Sequence, residues 1–343
     1  MTITAQVVLP GLFDLPLHEL DPELLAQRLP NLNRLLRLAT ARPNQAYTVD
    51  AILNAALGGH DSVQMPSPGL PIAQAFTAAG AAETDRLFLC QAIHLRPDMH
   101  SAVIVPIQFN QDNIQDIGII INDLKDLFKV DCDVTAIANG VFLLHLKQFE
   151  APVHYPHILS VLGKTINPYI EQTRQILPWY KLLNEIQMFL HQHEVNQQRM
   201  QRGLLTINSL WFWGAGSKPQ ATDSSLAWYC DDPLLNRFAA SLGLAPQPCS
   251  GIGTNAGSTD MLVIDLRLME FLKMGLSVPL DQLLLDIDCK FLQPLLSMFD
   301  KGRIQIVLRA GYEFDFELKP SARLKFWRPR RSLCSWTSAV DDP

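Results

Sequence analysis

The tripeptide Trp211-Phe212-Trp213, inside Asn208–Gly216 (NSLWFWGAG), restricts the fold more than any other stretch of the chain. An extended segment sends successive side chains to opposite faces of a sheet. A surface loop would not carry three consecutive large aromatics, because each removes about 150–250 Å² from water when buried. The Gly214-Ala215-Gly216 turn that follows lets backbone approach a neighbour or an anionic ligand closely. An ordinary buried strand and turn would read the same way.

The rest of the chain alternates strand-like and helix-like segments. Gln6–Gly11 reads as a strand and turn, and Asp21-Pro22 as a helix start, with Asp as cap and Pro in the first helical position. Val49–Leu57 and Ile72–Ala79 are further helical candidates. From Pro178 on, Leu182, Leu183, Ile186, Phe189 and Leu190 recur at spacings of three and four, which predicts one buried helical stripe. Leu226–Cys230, Met261–Leu266 and Arg303–Leu308 read as strands, Leu234–Leu242 as a helix, and Leu280–Phe299 as a long helix broken near Pro294. The expected fold is α/β, with a mixed, mostly parallel sheet covered by helices on both faces. Within it, 84–150 reads as a small inserted ββαββ subdomain whose last two strands meet at Asn139-Gly140, a hairpin signal. The main domain would then comprise 1–83 and 151–343.

Composition narrows the function. Of 343 residues, 48% are apolar and 18% charged, which is globular rather than disordered. A formal charge of −6 argues against a nucleic-acid binder held by phosphate contacts. MTITAQVVLP contains no Lys or Arg, and no apolar run is long enough to span a bilayer. A cytoplasmic protein without membrane or nucleic-acid partners is expected. The six cysteines form no CxxC and read as buried thiols.

No GxGxxG, GxSxG or P-loop lysine motif is present, and neither a metal nor an organic cofactor is expected. The pairs His154/His157 and His191/His193 read as satisfied polar side chains, since the first flanks a proline with no acidic partner near in sequence and residues two apart on a helix, as in the second, point in different directions. The same spacing puts Asp286 and Asp288 on a solvated face or in surface ion pairs. Asp231-Asp232 reads as a helix cap, or as a site at a strand end. Arg323–Arg331 (RLKFWRPRR) concentrates basic residues around Phe326 and Trp327 and reads as a tail docked by those two rings.

LNEIQMFLHQHEVNQQR at 183–199 and NSLWFWGAG at 208–216 resemble the bacterial proteins described as cofactor-independent phosphoglycerate mutase-like, or RpfE-type regulatory proteins. CQAIHLRPD at 90–98 and the closing FWRPRR are weaker points of similarity. LPGLFDLPLHEL at 9–20 and LPNLNRLLRLA at 29–39 resemble elements of the metal-dependent phosphoglycerate mutases, within the alkaline-phosphatase-like superfamily. The resemblance implies that fold. Active members use two divalent metals and a Ser or Thr nucleophile. Their first metal-binding Asp precedes a glycine after the opening strand, where this chain has Leu9-Pro10 before Gly11. Their Asp-His-Gly element is replaced by Arg309-Ala310-Gly311, and no histidine follows His193.

The resemblance therefore implies a non-catalytic or weakly active relative, a pseudoenzyme of regulatory type. Its ligand would be a small phosphorylated or carboxylated metabolite, or a protein partner. The pocket would use Asn196, Arg199, Asn208, Trp211, Trp213, Gly214 and Gly216, with Asp232 at a strand end. Arg199 would grip an anion in bidentate fashion or form a surface ion pair. Two alternatives stand beside this. One is an active mutase or phosphohydrolase with ligands from Asp14, Asp231, Asp232, Asp260, Asp265 or the N-terminal histidines. The other is a scaffold protein with an apolar patch around Trp327 and Trp336.

Overall fold

A computed structural model of the chain describes residues 3–15, 27–44, 48–58, 63–64, 70–76, 86–108, 110–138, 140–216, 220–221, 226–253, 259–275, 278–311, 313–324 and 327. The helix expected at Asp21-Pro22 lies outside them. The chain divides into two compact units, 1–65 with 220–343, and 66–219.

The first unit opens with β1 (Ile3–Val8), α1 (Pro30–Leu38), β2 (Thr40–Pro43), α2 (Val49–Gly58) and β3 (Val63–Gln64). The chain then builds the second unit from β4 (Leu87–Asp98), β5 (Ser101–Pro106), α3 (Gln111–Leu127), β6 (Cys132–Ala138) and β7 (Val141–Leu146). There follow α4 (Ile158–Val161), α5 (Asn167–Gln175), α6 (Leu177–Gln192), α7 (Glu194–Gln201) and β8 (Ser209–Trp213). It returns to the first unit with β9 (Gln220–Ala221), β10 (Ala227–Cys230), α8 (Pro233–Ser241), β11 (Met261–Ile264) and α9 (Arg267–Met274). The last elements are α10 (Leu280–Ile287), α11 (Gln293–Asp300), β12 (Ile304–Arg309) and β13 (Phe314–Leu318).

In the first unit six strands lie in the order β10-β11-β1-β12-β13-β2. The first four run parallel and β13 runs antiparallel to both its neighbours, β12 and β2, so the sheet is mixed and mostly parallel, as expected. Alternation along β1 explains its two covers. Ala5, Val7 and Leu9 join Val263, Ile306 and residues of α1, α10 and α11 in one apolar cluster. On the opposite face α2 packs on β1 and α8 on β10, and Trp228 Nε1 donates to Asn236 Oδ1 of α8 at 3.2 Å.

Pro294 breaks the long C-terminal helix as expected, through a wide π-turn at Asp288–Leu292 between α10 and α11. Proline lacks an N–H and crowds the carbonyl one turn back, and a π-bulge relieves that conflict. The outcome for the two acids differs from the expected solvated face. Asp286 is there, pairing with Lys290 at 2.9 Å, but Asp288 is 1% exposed. Its carboxylate accepts from the backbone N–H of Leu32 at 2.7 Å and of Asn31 at 3.3 Å. It thereby caps α1, whose own cap position, Leu29, has no side-chain acceptor.

The second unit is built on β4, the longest strand. Leu89–Gln91 pair antiparallel with β7 on one side and β8 on the other, and Ile93 pairs with both β5 and β8. The ββαββ pattern expected at 84–150 appears as β4-β5-α3-β6-β7. Because β8 adds to β4, the compact unit continues to 219. The stripe on α6 buries Leu182, Ile186 and Leu190, joined by Trp179. Trp327, expected to dock the C-terminal tail, is 68% exposed. Among the described residues no helix is long and apolar enough to cross a membrane.

Candidate ligand-binding site

The carboxyl ends of parallel strands are the usual ligand crevice of an open α/β sheet. Among the described residues, the end of β1 on that edge is filled. After β1, Leu9 and Leu12 are 0% exposed and Phe13 5%. Leu9 N donates to Arg309 O at 2.9 Å and Gly11 N to Ala310 O at 3.2 Å. Gly11 has φ +85°, and a Cβ there would meet Leu272 Cδ1 at 3.0 Å and the Met269 backbone at 3.4 Å. Only glycine fits this conformation and this packing without strain.

The acids along the same edge are engaged. Asp265 Oδ2 accepts from Arg267 Nη2 at 2.7 Å, Asp231 Oδ1 from Cys249 N at 3.1 Å, and Asp232 Oδ1 from Leu235 N at 2.8 Å. Asp232 thus caps α8, and burial raises its carboxyl above the usual range. Burial, with Asp232 and Asp265 nearby, pushes the Glu270 carboxyl up to about 7. Burial also raises the Cys230 and Cys249 thiols, which makes them poor nucleophiles. Asp260 sits at the other end of its strand, accepting from Thr4 N at 2.7 Å. Among the described residues no group of three or more His, Cys, Asp or Glu is arranged to hold a metal ion.

In the second unit, the polar residues expected in a pocket at 183–216 are tied into the fold. Asn196 donates to Leu190 O and Ile207 O and accepts from Ile207 N, each at 2.7 Å. Its amide thereby pins the turn between α7 and β8. Arg199 is 1% exposed. Its guanidinium donates to Leu205 O at 2.8 Å, Asn113 Oδ1 at 2.8 Å and Asp116 Oδ2 at 2.6 Å. The pair with Asp116 is therefore buried rather than on the surface. Asn208 donates to Leu95 O at 2.9 Å and accepts from Leu95 N at 2.6 Å, so its side chain continues the β4–β8 ladder as a strand residue would.

The two tryptophans of β8 diverge in use. Trp213 packs on the His157 ring, centroids 4.3 Å apart, and Nε1 donates to Gln91 Oε1 at 3.1 Å. Burial lowers the His157 pKa to about 3, and Nδ1 accepts from Leu159 N at 3.3 Å, so this is a neutral structural histidine. Gly214 and Gly216 take φ +72° and +130°, and Gly214 O accepts from Ala73 N at 3.0 Å. Trp211 instead lines a cavity.

That cavity, about 440 Å³, lies among α5, α6, β8 and the β4–β5 hairpin. Its aromatic wall is Tyr155, Tyr169 and Trp211, with Trp211 5.3 Å from Tyr155 and 5.0 Å from Tyr169 between ring centroids. The wall is fixed from behind: Trp211 Nε1 donates to Pro156 O at 3.0 Å and Trp179 Nε1 to Tyr155 Oη at 3.1 Å. The polar lining includes Ser101, Asn167, Arg174, Tyr180, Asn184, Gln187 and Ser209. Hydrogen bonds from Asn184 and then Arg174 hold the Tyr180 phenol below its usual pKa. Arg174 brings positive charge, and no carboxylate lines the cavity among the described residues. A concave apolar wall with a few convergent polar groups is the usual make-up of a small-molecule site.

Of the residues expected to bind a ligand, only Trp211 lines this cavity. Arg174, Tyr180, Tyr155 and Tyr169 carried no signal in the sequence, because they come together only when α5 and α6 close over β8.

No family model matches the chain, and neither does any curated protein. Among solved structures, the chain is similar to the PH0037 protein from Pyrococcus horikoshii, at 15% identity over 93% of this chain and 85% of that one, with a TM-score of 0.44. It is also similar to a cofactor-independent phosphoglycerate mutase from Thermoplasma acidophilum, at 18% identity over 92% and 89% of the two chains, with a TM-score of 0.38.

Proposed function

We propose that this protein is a non-catalytic, phosphoglycerate mutase-like binder of a small anionic metabolite, of the kind used in regulation, with its ligand held in the cavity beside β8. The observation that carries the reading is an aromatic wall with Arg174 in the lining and, among the described residues, no lining carboxylate. Aromatic faces supply apolar contact, and an arginine selects carboxylate or phosphate with directed hydrogen bonds. Filling of the crevice at the end of β1 by Leu9, Leu12 and Phe13 supports a site elsewhere.

The test is calorimetric titration with 3-phosphoglycerate and aromatic carboxylates, with and without manganese. Metal-independent binding is expected, weakened about ten- to a hundredfold in Arg174→Gln by loss of a charge-assisted hydrogen bond. Arg174 is exposed, so the variant's unfolding free energy should stay within about 0.5 kcal/mol of the parent. Binding that requires manganese would replace this reading with that of an active enzyme.

A further inference from the structure

Ser209, Leu210, Trp211 and Phe212 all line the cavity. Side chains alternate along a strand, so four consecutive lining residues place the backbone edge of β8 along the cavity, not one face alone. That edge is open: β8 pairs with β4 on one side, and no strand among the described residues pairs with the other. All of β8 is buried. Buried backbone N–H and C=O groups seek partners, and an open strand edge offers them at peptide spacing. On this strand the Trp211 ring lies 5.3 Å from Tyr155 and 5.0 Å from Tyr169 between centroids, and Arg174 in the lining supplies the positive charge.

We infer that the cavity recognises an amide-bearing carboxylate with a bulky apolar or aromatic side chain, the chemistry of an N-acylated amino acid or a dipeptide. The strand edge bonds to the ligand's amide as it would to another strand, the rings hold the side chain, and Arg174 takes the carboxylate. This rests on the cavity beside β8 being the ligand site.

The experiment is calorimetry on the full chain with four probes. N-acetyl-phenylalanine carries all three features. Its carboxamide lacks the charge, 3-phenylpropionate lacks the amide, and 3-phosphoglycerate lacks both amide and ring. The expected result is that N-acetyl-phenylalanine binds at least tenfold more tightly than each of the others. Arg174→Gln should bring the acid and its carboxamide to within about threefold of each other. Backbone hydrogen exchange at 209–213 should slow on saturation, a change that contact with side chains alone would not produce. If 3-phenylpropionate or 3-phosphoglycerate binds as tightly as N-acetyl-phenylalanine, the amide inference fails and the anion site stands. If exchange in β8 is unchanged on saturation, edge recognition is overturned. If none of the four binds, both readings fall.

Discussion

At the carboxyl end of β1, Leu9, Leu12 and Phe13 are buried against α9 and the core, and the nearby Asp265 and Asp232 are held by Arg267 and by the α8 backbone. Beside β8, Tyr155, Tyr169 and Trp211 are as aromatic as any part of the core, yet they leave about 440 Å³ open with Arg174 at its edge. The first region has the topology of a ligand crevice and the packing of a core. The second has an unremarked antiparallel edge and the packing of a site. Topology says where a site fits easily, but open space and the groups that line it decide where one exists.

The largest effect that would sharpen this contrast is expected at Arg199. Arg199→Met leaves Asn113 Oδ1 and Leu205 O in the interior without their donor and Asp116 with Arg202 alone, at 2.6 Å, and should cost about 2–4 kcal/mol in denaturant unfolding. A loss below about 1 kcal/mol would mean Arg199 is not the structural tie its bonds describe, and would reopen it as an anion-binding residue.

A smaller effect is expected at the filled crevice. Gly11→Ala meets both a left-handed φ and the Leu272 and Met269 contacts, and should cost about 1–3 kcal/mol. Tolerance of alanine would show that this edge has room, and would break the contrast directly.

The smallest concerns Glu270, whose carboxyl lies at about 7 in the fold, above the unfolded value of about 4.3. An acid raised on folding contributes stability that is complete below the unfolded pKa and is lost as pH rises through the folded one. Between pH 5 and pH 8 the parent should therefore lose on the order of 1 kcal/mol that Glu270→Gln does not lose, after discounting for partial exposure. Parallel pH profiles of the two proteins would show that burial beside Asp232 and Asp265 does not perturb this group.

Much of the fold was legible from local pattern. The strand at Trp211-Phe212-Trp213, the break at Pro294 and the hairpin partners of the ββαββ block all depend on neighbours in sequence. The α8 cap at Asp232 was legible for the same reason, because a side chain three residues from its donor needs no tertiary information. Asp288 was not. It caps a helix more than 250 residues away, and its inward direction depends on the π-turn forced before Pro294.

The candidate site divides along the same line. Sequence alone determined that this strand is not a surface loop, because Trp211, Phe212 and Trp213 are too apolar for water. Tertiary structure decided that Trp213 would meet His157 and Gln91 while Trp211 faced a cavity. It also decided that Asn196, Arg199 and Asn208 would be spent on backbone and on Asp116. A buried amide or guanidinium must find partners, but which partners it finds depends on chain segments that sequence distance does not bring together. The open edge of β8 follows from the same fact, since a strand carries no local record of which neighbours will pair with it.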